Sequence, residues 1–388
     1  MREYIPAARH SIFRVHHHLR KVNEKAYDPE ILAIGRYQNG NDKFKFMEEQ
    51  KLRYLQQLLE RRNKGSINRY MLAFRDWNSE TINSNQENFL AMMLIDGCFI
   101  IELFRKCSNE KLSDKDDPIM HGCGIRTSIR RDLLLLENQL PLFVLSNLYD
   151  LTKGPDEHHE FSDFAVGYFD SELGGTSRNW TIGESQGEHL LHLYYTWCTS
   201  DLPEKHCLGC KTVMPSATEL RESGIGFRAV LRGKLSNIKF ENGTLEIPVL
   251  LVEDITETQF RNLIAYKQYC RSRGINYFTD YVTFLDCLIN RSKDVEVLRR
   301  AGIIKNYFGN DEAVVQIFNK FGDYVTVSNS YYSKIFTKVN AYCNIPTVVL
   351  RREYFHNPWA FLPIPTAISF LLTVAQTVFS ILSYTKQS

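Results

Sequence analysis

The stretch NFLAMMLIDGCFIIELFRK, residues 88–106, decides the fold of this chain. Asp96 and Glu102 are its only carboxylates, and apolar side chains cover almost every side of the helix that it would form. Because charged side chains interrupt it, it predicts a helix buried in the core of a globular domain.

A second apolar segment, LLLLENQLPLFVL at residues 133–145, predicts a partner for that core helix, with a break or kink at Pro141. Other helical patterns cover residues 47–64, 188–197, 256–270, 278–290, 294–301, 311–321 and 330–342. The alternating residues 235–249, with Asn242-Gly243 between them, predict one β-hairpin. The predicted fold class is therefore mainly α, a predominantly helical globular domain with a small β-hairpin, followed by a single C-terminal transmembrane helix.

Composition places the chain among ordinary globular proteins and excludes two classes. It has 388 residues, with 47 Lys and Arg against 45 Asp and Glu, a formal net charge of +2. That balance excludes a protein that binds nucleic acid through bulk charge, and 44% apolar residues exclude wholesale disorder. One region differs, since residues 150–188 carry nine acidic and two basic side chains and predict an acidic, loop-rich insert.

The C-terminal end has the character of a membrane anchor. Residues 359–384 contain no Asp, Glu, Lys or Arg over 26 positions, and residues 366–384 form about 28 Å of helix, close to the ~30 Å hydrocarbon core of a bilayer. The residues expected to form the anchor are Trp359, Phe361, Phe370, Leu371, Leu372, Val374, Val378, Phe379, Ile381, Leu382 and Tyr384. We therefore predict a helical domain at residues 1–355 and an anchor at residues 356–388. The alternative is a soluble protein in which this only moderately apolar helix belongs to the core.

The polar residues of this helix follow a regular spacing. Ser369, Thr373, Gln376, Ser380 and Ser383 repeat at intervals of four and three, which places them on one face. Such a face lets two helices approach and hydrogen-bond inside a bilayer, so it predicts self-association or pairing with a partner helix. The alternative is that the Ser and Thr hydroxyls bond carbonyls of their own helix.

Charges at the two ends of the anchor predict its orientation. Arg351 and Arg352 precede it, whereas Lys386 is the only charged residue that follows. This asymmetry favours a cytosolic location for the large N-terminal domain. We expect a single-pass, tail-anchored protein of the plasma membrane or an endomembrane.

Two patterns suggest catalysis, and each has a structural alternative. The segment 183–187, GESQG, fits the G-x-S-x-G pattern that exposes a nucleophilic serine, so a serine hydrolase using Ser185 is the alternative function. Ser185 followed by Glu188 is also the capping box of a helix. The carboxylates of Asp96, Asp132 and Glu137 stand beside apolar runs, where each could act as a general acid or base or pair with an arginine.

The sequence predicts no metal and no cofactor. Cys207 and Cys210 supply two of the four ligands that a structural zinc needs, and His206 a third, but no second pair of this kind exists. The nine cysteines are scattered, as reduced thiols in a cytosolic domain would be, and no phosphate-binding glycine loop is present. The expected partners are a membrane and proteins that the sequence does not identify, without nucleic acid.

Ordered blocks over nearly the whole chain resemble one plant family, the domain of unknown function 247. The blocks are FRVHHHLRKVNEKAYDPEILAIGRYQNG, FMEEQKLRYL, GCFIIELF, DLLLLENQLPLFVL, MPSATELRESGIGFR, LEIPVLLVEDITETQFRNLIAYKQ, YVTFLDCLINRSKDVEVLRRAGII and NPWAF. The chain departs from the family near its start, where His16-His17 replaces a usual Val-Pro and residues 35–40 replace a Pro and a His pair.

The resemblance implies a plant membrane protein with a C-terminal anchor and no established catalytic activity. Some members of the family are associated with grass self-incompatibility, a recognition between pollen and stigma, and others with growth or stress responses. Recognition or signalling without catalysis is therefore the function that the resemblance implies, and it assigns no catalytic residues to this chain.

Overall fold

The computed structural model describes residues 12–38, 41–61, 84–122, 124–155, 157–172, 187–200, 213–231, 237–270, 276–321, 331–350 and 363–387. The helices are α1 (His17–Arg20), α2 (Lys45–Arg61), α3 (Ser84–Ser108), α4 (Pro118–His121), α5 (Ile125–Leu133), α6 (Leu142–Thr152), α7 (Phe161–Glu172), α8 (Leu190–Thr199), α9 (Ala217–Glu222), α10 (Thr256–Tyr269), α11 (Tyr277–Leu288), α12 (Ser292–Arg300), α13 (Asp311–Asn319), α14 (Ser333–Cys343) and α15 (Pro363–Gln387). The strands are β1 (Gly226–Val230), β2 (Lys239–Glu241), β3 (Thr244–Pro248), β4 (Leu250–Val252) and β5 (Ile304–Asn306). The mainly helical fold class is confirmed.

Helix α3 lies at the centre of the domain, as the apolar stretch predicts. Six apolar residues between positions 98 and 104 are fully buried: Cys98, Phe99, Ile100, Ile101, Leu103 and Phe104. Helices α2, α6, α7 pack around it, and the Phe104 ring stacks on Tyr168 of α7 with centroids 4.3 Å apart. Each such large apolar side chain contributes about 1.5–3 kcal/mol on burial, which makes this the stabilising centre.

In the second apolar segment, the first helix ends well before Pro141, where the sequence predicts the break. Helix α5 ends at Leu133, and α6 begins only at Leu142, with Pro141 as its N-cap. The turn between the two helices is buried, and the side chain of Gln139 satisfies two of its backbone carbonyl oxygens. Its side-chain nitrogen donates to the carbonyl oxygens of Leu133 and Leu135 at 2.7 and 2.8 Å.

The structure differs from the loop-rich insert expected over residues 150–188. Residues 161–172 form helix α7, and Phe161, Ala165, Tyr168 and Phe169 are buried in the main core. The acidic composition of residues 150–188 concealed an apolar stripe at helical spacing. Residues 173–186 of the predicted insert lie outside the described part of the chain.

The predicted β-hairpin is present, and it belongs to a larger sheet. Strands β2 and β3 pair antiparallel, and the turn residues Asn242 and Gly243 have φ of 51° and 71°. Two successive positive φ values are those of a type I′ turn, which suits Asn-Gly. Strand β1 pairs parallel to β3, and β4 pairs parallel to β5. The sequence does not indicate these parallel pairs, because their strands are short and their partners distant.

Candidate functional site

Helix α15 is the feature of this protein that packing within the domain does not explain. Pro363 and Pro365 stand in its first turn, where a missing backbone N–H costs nothing. All 18 residues from Pro365 to Leu382 are exposed, and within the described ranges no other helix is long and apolar enough to cross a membrane. At about 1.5 Å per residue, these 18 residues span roughly 27 Å.

The anchor residues chosen from the sequence fall along this exposed helix. The side chains of Phe370, Leu371, Leu372, Val374, Val378, Phe379, Ile381 and Leu382 are all between 45% and 73% exposed. Tyr384 belongs to the same helix beyond that stretch, while Trp359 and Phe361 lie outside the described residues. Ile368 is also exposed, and the sequence prediction missed it although it stands within the same uncharged run.

The exposure of α15 argues against the alternative that it is a core helix. Helix α3 is buried throughout residues 96–106, whereas no residue of the 18-residue stretch in α15 is buried. Each large apolar side chain left in water forgoes about 1.5–3 kcal/mol of burial free energy. A helix with nine such side chains exposed is stable when lipid or another protein covers it.

Two hydroxyls on the polar face of α15 hydrogen-bond to carbonyl oxygens of the same helix. The Thr373 hydroxyl donates to the carbonyl oxygen of Ser369 at 2.8 Å, and the Thr377 hydroxyl donates to that of Thr373 at 2.8 Å. For these two residues, the bonds to the helix's own carbonyls are present. Ser369, Thr373, Gln376, Ser380 and Ser383 share one face of the observed helix, but the question of a partner on that face stays a prediction.

Three buried carboxylates flagged by the sequence share a single role, because all hold the N-terminal segment of residues 12–38. Asp132 accepts hydrogen bonds from the backbone nitrogens of Glu30, Ile31 and Leu32 at 2.8–3.0 Å. It also pairs with Arg131 at 2.7 Å, as the arginine alternative predicts. A carboxylate with four donors around it is fully occupied as an acceptor.

Asp96 and Glu137 complete this attachment of the N-terminal segment. Asp96 accepts the Gly35 backbone N–H at 2.8 Å and pairs with the Lys51 ammonium at 2.7 Å. Glu137 accepts the Val15 backbone N–H at 2.7 Å. Burial raises the pKa of Asp96 and of Asp132, although the neighbouring donors oppose the shift. These contacts engage the chain's own backbone, so they support a structural role in place of general acid or base catalysis.

Side-chain amides extend the same attachment. Asn138 accepts the Ile34 backbone N–H at 2.6 Å and donates to the Leu32 carbonyl at 2.9 Å. Asn262 of α10 donates to the Ala26 carbonyl at 2.8 Å. Apart from short helical turns such as α1, the segment therefore packs as a strap, and side chains contributed by the core bond part of its backbone.

The structure gives no support to the hydrolase pattern in the residues that it describes. Ser185 lies outside them, and so do the candidate zinc ligands His206, Cys207 and Cys210. Helix α8 begins at Leu190, and His189 is its N-cap, with Nδ1 accepting the His192 backbone N–H at 3.2 Å. Ser185 is therefore too far upstream to cap this helix, so the capping-box interpretation is wrong.

The histidines near the chain start contact a tyrosine. The ring of His16 stacks on Tyr269 with centroids 4.8 Å apart, and His18 Nε2 lies 2.6 Å from the Tyr269 hydroxyl. Among the described residues, no group of three or more His, Cys, Asp or Glu side chains could hold a metal ion.

Comparison with known proteins gives one family. The model of a family described as "Plant protein of unknown function" (DUF247) matches residues 12–373. The chain is 30% identical over 419 residues to UPF0481 protein At3g47200 of Arabidopsis thaliana, an alignment that covers 96% of this chain and 86% of the relative. It is 21% identical over 481 residues to Putative UPF0481 protein At3g02645 of the same plant, covering 96% of this chain and 90% of that relative. No solved structure matches the chain.

Proposed function

This chain belongs to the DUF247 family of plant proteins of unknown function, and we propose that it is a non-enzymatic protein tethered to a membrane by α15. The observation that carries the proposal is the complete exposure of residues 365–382 in a helix of membrane length. A bilayer would cover the nine large apolar side chains that the domain leaves uncovered.

The helical domain would then act in recognition or signalling at that membrane. A tether confines the domain to a surface and raises its effective concentration toward other proteins held there, without any new contact. The carboxylates best placed for chemistry hold the strap, which supports binding over catalysis as the role of the domain. The expected partners are therefore proteins of the same membrane.

Membrane attachment is tested by extraction of the full-length chain from plant microsomes. We expect the wild-type chain to remain in the membrane pellet after an alkaline carbonate wash. Leu371→Lys with Leu372→Lys should release it, because each Lys near the middle of a span costs about 2.5–3.5 kcal/mol of insertion free energy. Leu52→Lys is the matched control, since Leu52 is 53% exposed on α2. A wild-type chain released by the wash would overturn the proposal.

Orientation is a separate part of the proposal. Arg351 and Arg352 before the anchor, against Lys386 after it, support a cytosolic domain. A glycosylation tag added after Ser388 should be modified, whereas the sequons at Asn242 and Asn290 should stay unmodified although both asparagines are exposed. A third sequon, at Asn179, lies outside the described residues. Glycans at Asn242 or Asn290 would place the domain in the lumen or outside the cell.

A further inference from the structure

One face of α15 carries every hydroxyl and amide side chain of the membrane-length stretch. At about 100° per residue, these side chains fall within an arc of about 100°, and no large apolar side chain falls inside it. The face consists of Thr366, Ser369, Thr373, Gln376, Thr377 and Ser380. Two threonines thus join the face that the four-and-three spacing alone indicated.

The hydroxyls on this face do not require a second helix. Thr373 and Thr377 donate to carbonyl oxygens one turn earlier at 2.8 Å, and Ser side chains have the same option. The small hydroxyl residues by themselves therefore specify no partner.

Gln376 differs from its neighbours on the face. Its carboxamide offers two donor hydrogens and an acceptor oxygen with two lone pairs, and it hydrogen-bonds to no described residue. Gln376 stands about 4 Å from the middle of the 18-residue stretch. At that depth of a bilayer no water is available to satisfy it.

We propose that Gln376 pairs with Gln376 of a second copy of this chain, in a parallel homodimer of α15 helices. The proposal rests on the membrane anchoring proposed above. Two copies inserted in the same direction hold Gln376 at the same depth, and a two-fold axis brings the same face of each together. A carboxamide is self-complementary, because each copy donates an N–H to the other's oxygen. The remaining small side chains let the two backbones approach closely enough for this contact.

The composition of the helix argues against the other way of covering a polar face. A helix that lies flat at the membrane surface typically carries Lys or Arg on its polar side. Residues 359–384 contain none, and neither do they contain Asp or Glu. An uncharged polar face on a helix of this length fits a partner inside the bilayer.

The test uses the full-length chain in phosphatidylcholine vesicles, with donor and acceptor fluorophores on the N-termini of separate preparations. Energy transfer should rise with the protein-to-lipid ratio. Gln376→Leu should raise the apparent dissociation constant about 3- to 20-fold, and Gln376→Asn should retain most of the transfer. Val378→Leu, on the opposite face, is the matched control and should leave the constant unchanged.

Flotation of the same vesicles separates the two proposals. Chains that float with the vesicles but show no energy transfer, or the same transfer in Gln376→Leu as in the wild type, would overturn the homodimer and leave the anchor standing. Chains that do not float with the vesicles would overturn both. Transfer that depends on Gln376 only after a plant membrane extract is added would mean a different partner helix and would also overturn the homodimer.

Discussion

Asp132 and Leu32 lie 100 residues apart in the chain, yet the Asp132 carboxylate accepts the backbone N–H of Leu32 at 2.9 Å in the core. The contact shows how the strap, residues 12–38, is attached to the core of the domain. The strap has no regular strand pairing with the core in the described residues, so buried side chains take the place of a ladder.

The first prediction concerns this contact. Asp132→Ala removes the acceptor of three backbone N–H groups and leaves Arg131 without its buried partner. We expect the free energy of unfolding to fall by about 3–5 kcal/mol, measured by urea unfolding of the detergent-solubilised chain. Asp28→Ala, which removes a half-exposed partner of Arg20, should cost only about 0–1 kcal/mol. Equal losses in the two variants would contradict the role given to Asp132.

A second prediction separates a steric contact from backbone strain. Gly35 and Gly309 have φ of 70° and 72°, so an alanine is strained at either position. A Cβ at Gly35 would also meet the Gln139 carbonyl oxygen at 2.8 Å, whereas one at Gly309 would meet nothing within 4 Å. We expect Gly309→Ala to cost about 1 kcal/mol and Gly35→Ala at least about 1 kcal/mol more, by thermal unfolding. A Gly35→Ala chain as stable as Gly309→Ala would mean that the strap shifts at no cost.

A third prediction is a pH dependence from Asp280. Burial raises the pKa of its carboxyl from an ordinary 3.8 to about 6, although the Tyr331 backbone N–H opposes the shift. The folded state therefore binds this proton more tightly than the unfolded state. The resulting stabilisation is complete below about pH 4 and is lost as the pH rises through about 6.

Asp280→Asn should remove that dependence, since Asn stays neutral and keeps an oxygen for the Tyr331 N–H, which lies 2.7 Å from Asp280. At pH 8 we expect the variant to be more stable than the wild type by about 2–3 kcal/mol, with the difference shrinking toward pH 4. Melting temperatures between pH 4 and 8 measure it. A constant difference across that range would show that Asp280 does not titrate there.

The fourth prediction is that the domain folds without α15. Deletion of residues 359–388 should give a soluble, monomeric product with the helical circular dichroism of the domain, because none of residues 365–382 is buried in it. Phe336→Asp in the same truncated chain is the control, since Phe336 is buried in α14 and a charge there should unfold the product. Aggregation of the unsubstituted truncated chain would favour the core-helix alternative.

Prediction from the sequence succeeded where the signal is local. The apolar run of α3 and the Asn-Gly turn between β2 and β3 each carry their structure within a few residues. The prediction failed for residues 161–172, where the acidic composition outweighed the apolar stripe of a helix. It also failed for the N-cap of α8, which the sequence motif placed at Ser185 and which is His189. It also missed β1, whose partner β3 is reached only after the chain turns back.

The sequence by itself determined the anchor-like helix, because a long uncharged apolar run depends on no distant residue for its helical form or its affinity for lipid. It also determined that Asp96, Asp132 and Glu137 would be buried, since each stands within or beside an apolar run. Only the tertiary structure decided what those carboxylates do. The backbone groups that they bind lie 61 to 122 residues away, and such N–H groups look alike in every sequence. Which of them a buried carboxylate meets is fixed only when the strap packs against the core.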